Sequence, residues 1–132
     1  MIFTDTALAA HLAGIPRALE DEKHPKYGHC VESFVLQNLL VLADSCLQRT
    51  MKLFHLRTAS GFEIDAVLES DGVLVGIEVK SSRTVDKGST GSLEKFMRMN
   101  SACKAGIVAY RGELVLPLGK NIWTIPIQML LT

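Results

Sequence analysis

Residues 61–82 read GFEIDAVLESDGVLVGIEVKSS, and the Asp71-Gly72 pair at their centre decides how the chain folds around them. Asp-Gly is a preferred dipeptide for the two-residue type I′ turn, because both central positions of that turn need positive φ. With so short a turn Ser70 lies opposite Val73, and each step outward opposes the next two residues. Asp65 then faces Glu78, and Glu63 faces Lys80. Side chains in a strand alternate between faces. One face collects Ile64, Ala66, Leu68, Val75, Ile77 and Val79, all apolar. The other gathers Glu63, Asp65, Glu78 and Lys80 at the end far from the turn, with Val67, Gly76, Leu74 and Glu69 nearer to it.

Two carboxylates directly opposite each other repel. Once they are desolvated, at least one keeps its proton unless a cation neutralises the pair. Mg²⁺ or Mn²⁺ would do so, taking Asp65 and Glu78 as ligands beside water and substrate phosphate. Opposed Cβ atoms lie about 4.5–5.5 Å apart, so both carboxylates reach one ion. Lys80, on the same face, would orient or deprotonate a water, or steady charge on a phosphorane-like transition state. The same pattern also describes a solvated strand face carrying an ordinary Glu63–Lys80 ion pair. A one-residue slip in register would part the carboxylates.

Working outward, Lys52–Thr58 alternates loosely, and with Phe62–Ser70 and Val73–Ser81 it makes three strands in succession. The Leu-rich stretch from Cys30 to Leu47 reads as a mostly buried helix. Beyond a Gly- and Ser-rich loop at 86–91, Leu93, Phe96 and Met97 mark a helix over 92–101. Ala105–Tyr110, Glu113–Leu116 and Asn121–Ile125 follow as strands. The order helix, three strands, helix, strands predicts an α/β or α+β sandwich with a mixed sheet. At the start, Thr4 or Asp5 caps a short helix ending at Gly14, with Pro16 beyond it, and residues 16–29 form a connection.

The chain has 132 residues, of which 48% are apolar and 21% charged, which suits one domain with its own core. No apolar run reaches the length of about 18 residues that spans a bilayer. Met1–Leu12 lacks the pattern of a secretory signal, so the cytoplasm is the expected location. There is no P-loop, so the chain is not itself an ATPase of that type. Its zero net charge argues against affinity built mainly on phosphate neutralisation. The charge is nevertheless uneven: Lys80, Arg83, Lys87, Lys95, Arg98 and Lys104 stand against Asp86 and Glu94. That segment is either a solvated face or a phosphate-contacting patch. Cys30, Cys46 and Cys103 match no zinc spacing and read as reduced thiols. Of the four histidines, His29 alone falls near the proposed site.

Asp65, twelve residues and then Glu78-Val79-Lys80 resemble the signature of the PD-(D/E)XK nuclease superfamily, which includes restriction enzymes and archaeal Holliday-junction resolvases. The resemblance implies a restriction-endonuclease-like αβββαβ core, a central mixed sheet flanked by helices. Ile64 stands where that family often has proline. A closer resemblance covers most of the chain. Phe3-Thr4-Asp5 with Leu8, Gly28 to Val35, Arg57 to Asp65 and Ile77 to Ser82 are similar to the C-terminal domain of unknown function on prokaryotic AAA-type ATPases. It implies a single nuclease-like domain over 1–132, with an N-terminal helix and connection at 1–27 and a core at 28–132. It also implies a C-terminal fragment or shortened homologue of a longer ATPase-linked protein.

Carried over, Glu32 becomes the helix carboxylate that completes a catalytic set of Glu32, Asp65, Glu78 and Lys80. It shares a helical stripe with Val35, Leu36 and Leu39, so it needs a partner: a water of the metal, Lys80 or backbone amides. It also reads as an N-terminal carboxylate favoured by the helix dipole. Arg57 would contact a phosphate or pair with Glu63. Ser81 and Ser82 would end the strand or touch substrate. Two functions are expected in competition. One is a metal-dependent nuclease acting on DNA. The other is a non-catalytic accessory module docking on an AAA-type ATPase partner or on nucleic acid.

Overall fold

The computed structural model describes residues 22, 23, 25–45 and 50–131. The expected N-terminal helix at 4–14, most of the connection after it, Cys46 and the end of the Leu-rich stretch lie outside these residues.

Among the described residues six strands form one sheet in the order β1-β2-β3-β4-β6-β5. They are β1 (Met51–Arg57), β2 (Glu63–Ser70), β3 (Val73–Val79), β4 (Cys103–Tyr110), β5 (Leu116–Gly119) and β6 (Ile122–Pro126). The first three are antiparallel neighbours, β3, β4 and β6 run parallel, and β5 returns antiparallel on β6. The sheet is therefore mixed, and the chain is α/β. Helix α1 (Tyr27–Asp44) precedes the strands. A 3₁₀ turn at Lys87–Thr90 leads into α2 (Gly91–Met99), which carries the chain from β3 to β4, and α3 (Ile127–Leu130) ends the described residues. No helix among them is long and apolar enough to cross a membrane.

The turn is as the Asp-Gly pair requires: Asp71 has φ 53° and Gly72 φ 79°, both positive as in type I′. Ser70 opposes Val73, and the register continues outward to Ala66 opposite Ile77. Helix α1 starts earlier than its apolar run suggests, at Tyr27, because that ring is buried and anchors the helix in the core. The strand expected at Glu113–Leu116 falls instead at Leu116–Gly119. Residues before it are held by side chains: the Tyr110 hydroxyl donates to the Leu114 carbonyl (2.7 Å), and the Leu114 N–H donates back to that hydroxyl (3.1 Å). Pro117 then sits on an edge strand, where its missing N–H is tolerated.

Both faces of the sheet are covered, which corrects the one-apolar-face reading. Ala66, Ile77 and Ala109 pack under Tyr27, Val31, Val35, Leu36 and Leu39 of α1, joined by Leu68, Val75 and Val79. Ile64, Val67, Val108 and Ile122 pack under Leu93 and Phe96 of α2, joined by Leu56 and Leu74. Ile64 and Ala66, expected on one face, thus belong to opposite layers. The cause is a bulge. Phe54 pairs with Val67 and Leu56 with Ile64, so two steps along β1 match three along β2. The extra residue reverses the alternation there.

Two glycines seat α2. Gly76 and Gly106 are direct neighbours across the β3–β4 ladder. A Cβ at Gly76 would lie 2.9 Å from a Leu93 methyl, and one at Gly106 would lie 3.3 Å from the other. Leu93, fully buried, occupies the groove that the absent side chains leave.

Candidate carboxylate–lysine site

The site sits where β2 and β3 part. Their paired register ends at Ala66 and Ile77. Beyond that point the Val79 N–H donates to Asp65 Oδ2 (2.7 Å) and the Lys80 N–H donates to the Ala109 carbonyl (2.8 Å). The end of β3 thus keeps the ladder to β4 that runs along its length, while its ladder to β2 has ended. The carboxylate of Asp65, on the bulged stretch of β2, fills the gap that opens. The bulge also frees the Asp65 carbonyl, which lies 3.1 Å from His55 Nδ1.

Asp65 and Glu78, the positions just past the last paired residues, still lie near each other. Glu78 is only 8% exposed, and its carboxyl lies close enough to that of Asp65 for each to shift the other. Burial, followed by the charge of Asp65, pushes the Glu78 carboxyl up to about 8, against the pull of Lys80. Burial also raises Asp65, opposed by the Val79 N–H and by Lys80. Lys80 Nζ is 4.0 Å from Glu78 Oε2. Glu32, half-buried on the first turns of α1, is raised by burial and then by Asp65, with His29 pulling the other way. The expected four, Glu32, Asp65, Glu78 and Lys80, thus form one electrostatic cluster. The direct contacts in it are between Asp65 and Glu78 and between Glu78 and Lys80.

The expected Glu63–Lys80 pair does not form. Because the strands separate, Lys80 turns to Glu78, and Glu63 Oε1 lies 3.2 Å from His55 Nε2. Arg57 is opposite Glu63 in the ladder, yet the carboxylate goes to the histidine. His55, which touches both Glu63 and the Asp65 backbone, is the residue that sequence reasoning missed. No sequence signal marks it: Leu53 and Leu56, three apart, lie in opposite layers as ordinary strand alternation places them. Ser81 and Ser82 end the strand, with the Ser82 hydroxyl donating to the Thr84 carbonyl (2.7 Å). Cys103 is buried and Cys30 half-buried, both as free thiols. Among the described residues no three His, Cys, Asp or Glu side chains gather as a metal cage.

The raised Glu78 carboxyl has a consequence for stability. Its folded value, about 8, lies above the ordinary 4.5, so the folded state binds the extra proton between those two values. Without divalent ions, stability is fully present below about 4.5 and falls as pH rises through about 8. Glu78→Gln is expected to flatten this decline by keeping a neutral group in the same space. Thermal melts from pH 5 to pH 9 in EDTA check it; parallel curves for the two proteins would contradict it.

The model of a domain of unknown function, DUF4143, matches residues 27–130, spanning α1 to α3. The chain belongs to this family. Two mycobacterial relatives are similar along almost the whole chain. One is uncharacterized protein Rv2008c of Mycobacterium tuberculosis (strain ATCC 25618 / H37Rv), and the other is uncharacterized protein Mb2031c of Mycobacterium bovis (strain ATCC BAA-935 / AF2122/97). Each is 30% identical over 131 aligned positions, 97% of this chain and 27% of the relative. The chain therefore spans about a quarter of the length of these relatives.

Proposed function

We propose that this DUF4143 domain is a metal-dependent phosphodiesterase of the restriction-endonuclease-like kind, acting on DNA. The observation that carries the reading is the buried Asp65–Glu78 pair with the Lys80 ammonium beside it. Holding one proton between two carboxyls at neutral pH is the signature of a site short of positive charge. The element order α1, β1 to β3, α2, β4, with the Asp and Glu-x-Lys residues at the opened end of the β2–β3 hairpin, supports the same reading.

The donor set fits a hard divalent ion: both groups are carboxylates, which suits Mg²⁺ or Mn²⁺. Such an ion would be held by Asp65 and Glu78, and it would supply charge neutralisation and polarisation of a phosphoryl oxygen. Val79, through its N–H, fixes the orientation of Asp65, and His55 steadies the backbone carbonyl behind it. Lys80 presents its ammonium to the reacting phosphate, to orient the attacking water and to stabilise charge on the phosphoryl oxygens. Glu32 takes up or returns a proton at the rim. In hydrolysis a water oxygen bonds to phosphorus, one P–O ester bond breaks, and the leaving oxygen takes a proton.

The test is cleavage of single-stranded, duplex and branched DNA in Mg²⁺ or Mn²⁺ against EDTA, with Mn²⁺ binding followed by calorimetry. Metal-dependent cleavage is the expected result. Absence of cleavage on every substrate, together with absence of Mn²⁺ binding, would overturn the proposal. A second reading is favoured by the relatives' greater length: an accessory module that keeps this fold and docks on an AAA-type ATPase partner or on nucleic acid. Mn²⁺ binding by the wild type favours the enzyme over that module.

A further inference from the structure

Past the end of β3 the chain stays beside the residue that follows β4: the Arg111 N–H donates to the Ser82 carbonyl (3.0 Å). This extension brings Arg83 and Arg111 together on one side of a cavity of about 350 Å³, also walled by Tyr27, Phe34 and Tyr110. Arg111 is the fixed member. Its guanidinium lies over the Tyr27 ring, 5.2 Å from the centroid, and its Nη1 donates to the Ser81 carbonyl (3.4 Å). Arg83 is the free-standing one, its side chain 69% exposed. Both reach the same oxygen, Glu22 Oε1, at 2.6 Å from Arg111 and 3.1 Å from Arg83. The two guanidiniums pull the Glu22 carboxyl down to about 2. Just beyond, α1 begins with no acidic residue in its first turn and no side chain capping it, so its positive end adds to the same field.

A carboxylate oxygen held by two guanidiniums occupies the position of a phosphate oxygen, the other anion that arginine forks recognise. We infer that Arg83 and Arg111 form a phosphate-binding subsite for a nucleic-acid strand, and that Glu22 fills it as an internal competitor when no strand is bound. The anion site stands on its own geometry; the assignment of its ligand to nucleic acid rests on the function proposed above. Ser81 and Ser82 link Lys80 to Arg83 directly along the chain. A strand whose phosphate is gripped by the two arginines is thereby anchored close to the carboxylate pair.

The test is anisotropy of a labelled single-stranded oligonucleotide in EDTA, with inorganic phosphate as competitor, at several salt concentrations. EDTA separates this from catalysis, so failure to cleave leaves the measurement intact. Glu22→Gln is expected to bind about three- to tenfold more tightly than wild type, the scale of one exposed charge-assisted contact. Adding Arg83→Gln to that variant is expected to weaken binding by a similar factor and to reduce the slope of log K against log salt by about one. Inorganic phosphate is expected to displace the strand. The inference is overturned by undetectable binding to Glu22→Gln, by equal or weaker binding than wild type, by a salt slope unmoved by Arg83→Gln, or by no displacement with phosphate. Arg83 is exposed, so its variant is expected to melt as the parent does.

Discussion

Lys80→Ala is expected to lower metal-dependent cleavage by about 10²–10⁴-fold, the usual contribution of a positioned acid–base or electrostatic group, while Mn²⁺ binding changes by less than about tenfold. The asymmetry follows from where the ammonium sits. At 4.0 Å from Glu78 Oε2 it is beside the carboxylate pair and supplies no ligand oxygen. Removing it withdraws positive charge from the reacting phosphate. It has two opposed effects on the metal: Glu78 keeps its proton more firmly, and a cation that repels the ion is gone. Asp65→Ala is expected to behave differently, losing Mn²⁺ binding and cleavage together, because it would remove a proposed ligand as well as the acceptor of the Val79 N–H. Single-turnover cleavage at saturating Mn²⁺, beside calorimetry, separates the two variants. A Lys80→Ala protein that cleaves at the wild-type rate would remove Lys80 from the proposed chemistry.

Gly76→Val is expected to destabilise the fold by about 1–3 kcal/mol or more, the range for forcing extra methyl groups into a packed core. The Cβ alone would come within 2.9 Å of Leu93 Cδ2 and 3.5 Å of Phe96 Cδ1. Leu93 is also packed over Gly106, so it cannot retreat along the sheet. Either α2 lifts from the sheet or the β3–β4 ladder distorts, and both loosen the strand that carries Glu78. At a few degrees per kcal/mol for a domain of this size, the melting midpoint should fall by roughly 5–10 °C. Gly91→Ala is the matched control. It lies in the first turn of α2, and its Cβ would meet nothing within 4 Å, so it should be neutral or stabilising by up to about 1 kcal/mol. Equal melting of Gly76→Val and wild type would refute the packing argument.

The hairpin was legible because the Asp71-Gly72 turn allows little choice of register, and opposition of Asp65 and Glu78 follows from it. The helices and the mixed sheet were legible from their apolar positions. However, α1, expected to be mostly buried, leaves Phe34, Leu40, Val41 and Leu42 exposed because only one side of it meets the sheet. Sequence alone could not show that the ladder stops at Ala66 and Ile77. Extrapolating it three pairs too far produced the Glu63–Lys80 ion pair, whereas the parting strands give Glu63 to His55 and Lys80 to Glu78. The bulge was hidden because no glycine marks it. Its trace is the spacing of Ile64 and Val67, three apart on β2 yet in one layer, which is ambiguous until β1 is laid beside it. Gly76 read as an ordinary position on a polar face; its role exists only once Leu93 arrives from a helix that follows in sequence.

The extra residue in β2 separates inheritance of the fold from inheritance of the site. Ile64 and Val67 feed the layer beneath α2, and Ala66 feeds the layer beneath α1. Asp65 is the position left over when two steps on one strand answer three on the next. A lineage that lost a single codon here would restore regular alternation, keep apolar side chains for both layers and lose the carboxylate from the gap. Descendants of one ancestor would then look alike in architecture and differ in chemistry by one residue, so among relatives of this domain an uninterrupted β2 would mark those that kept only the scaffold.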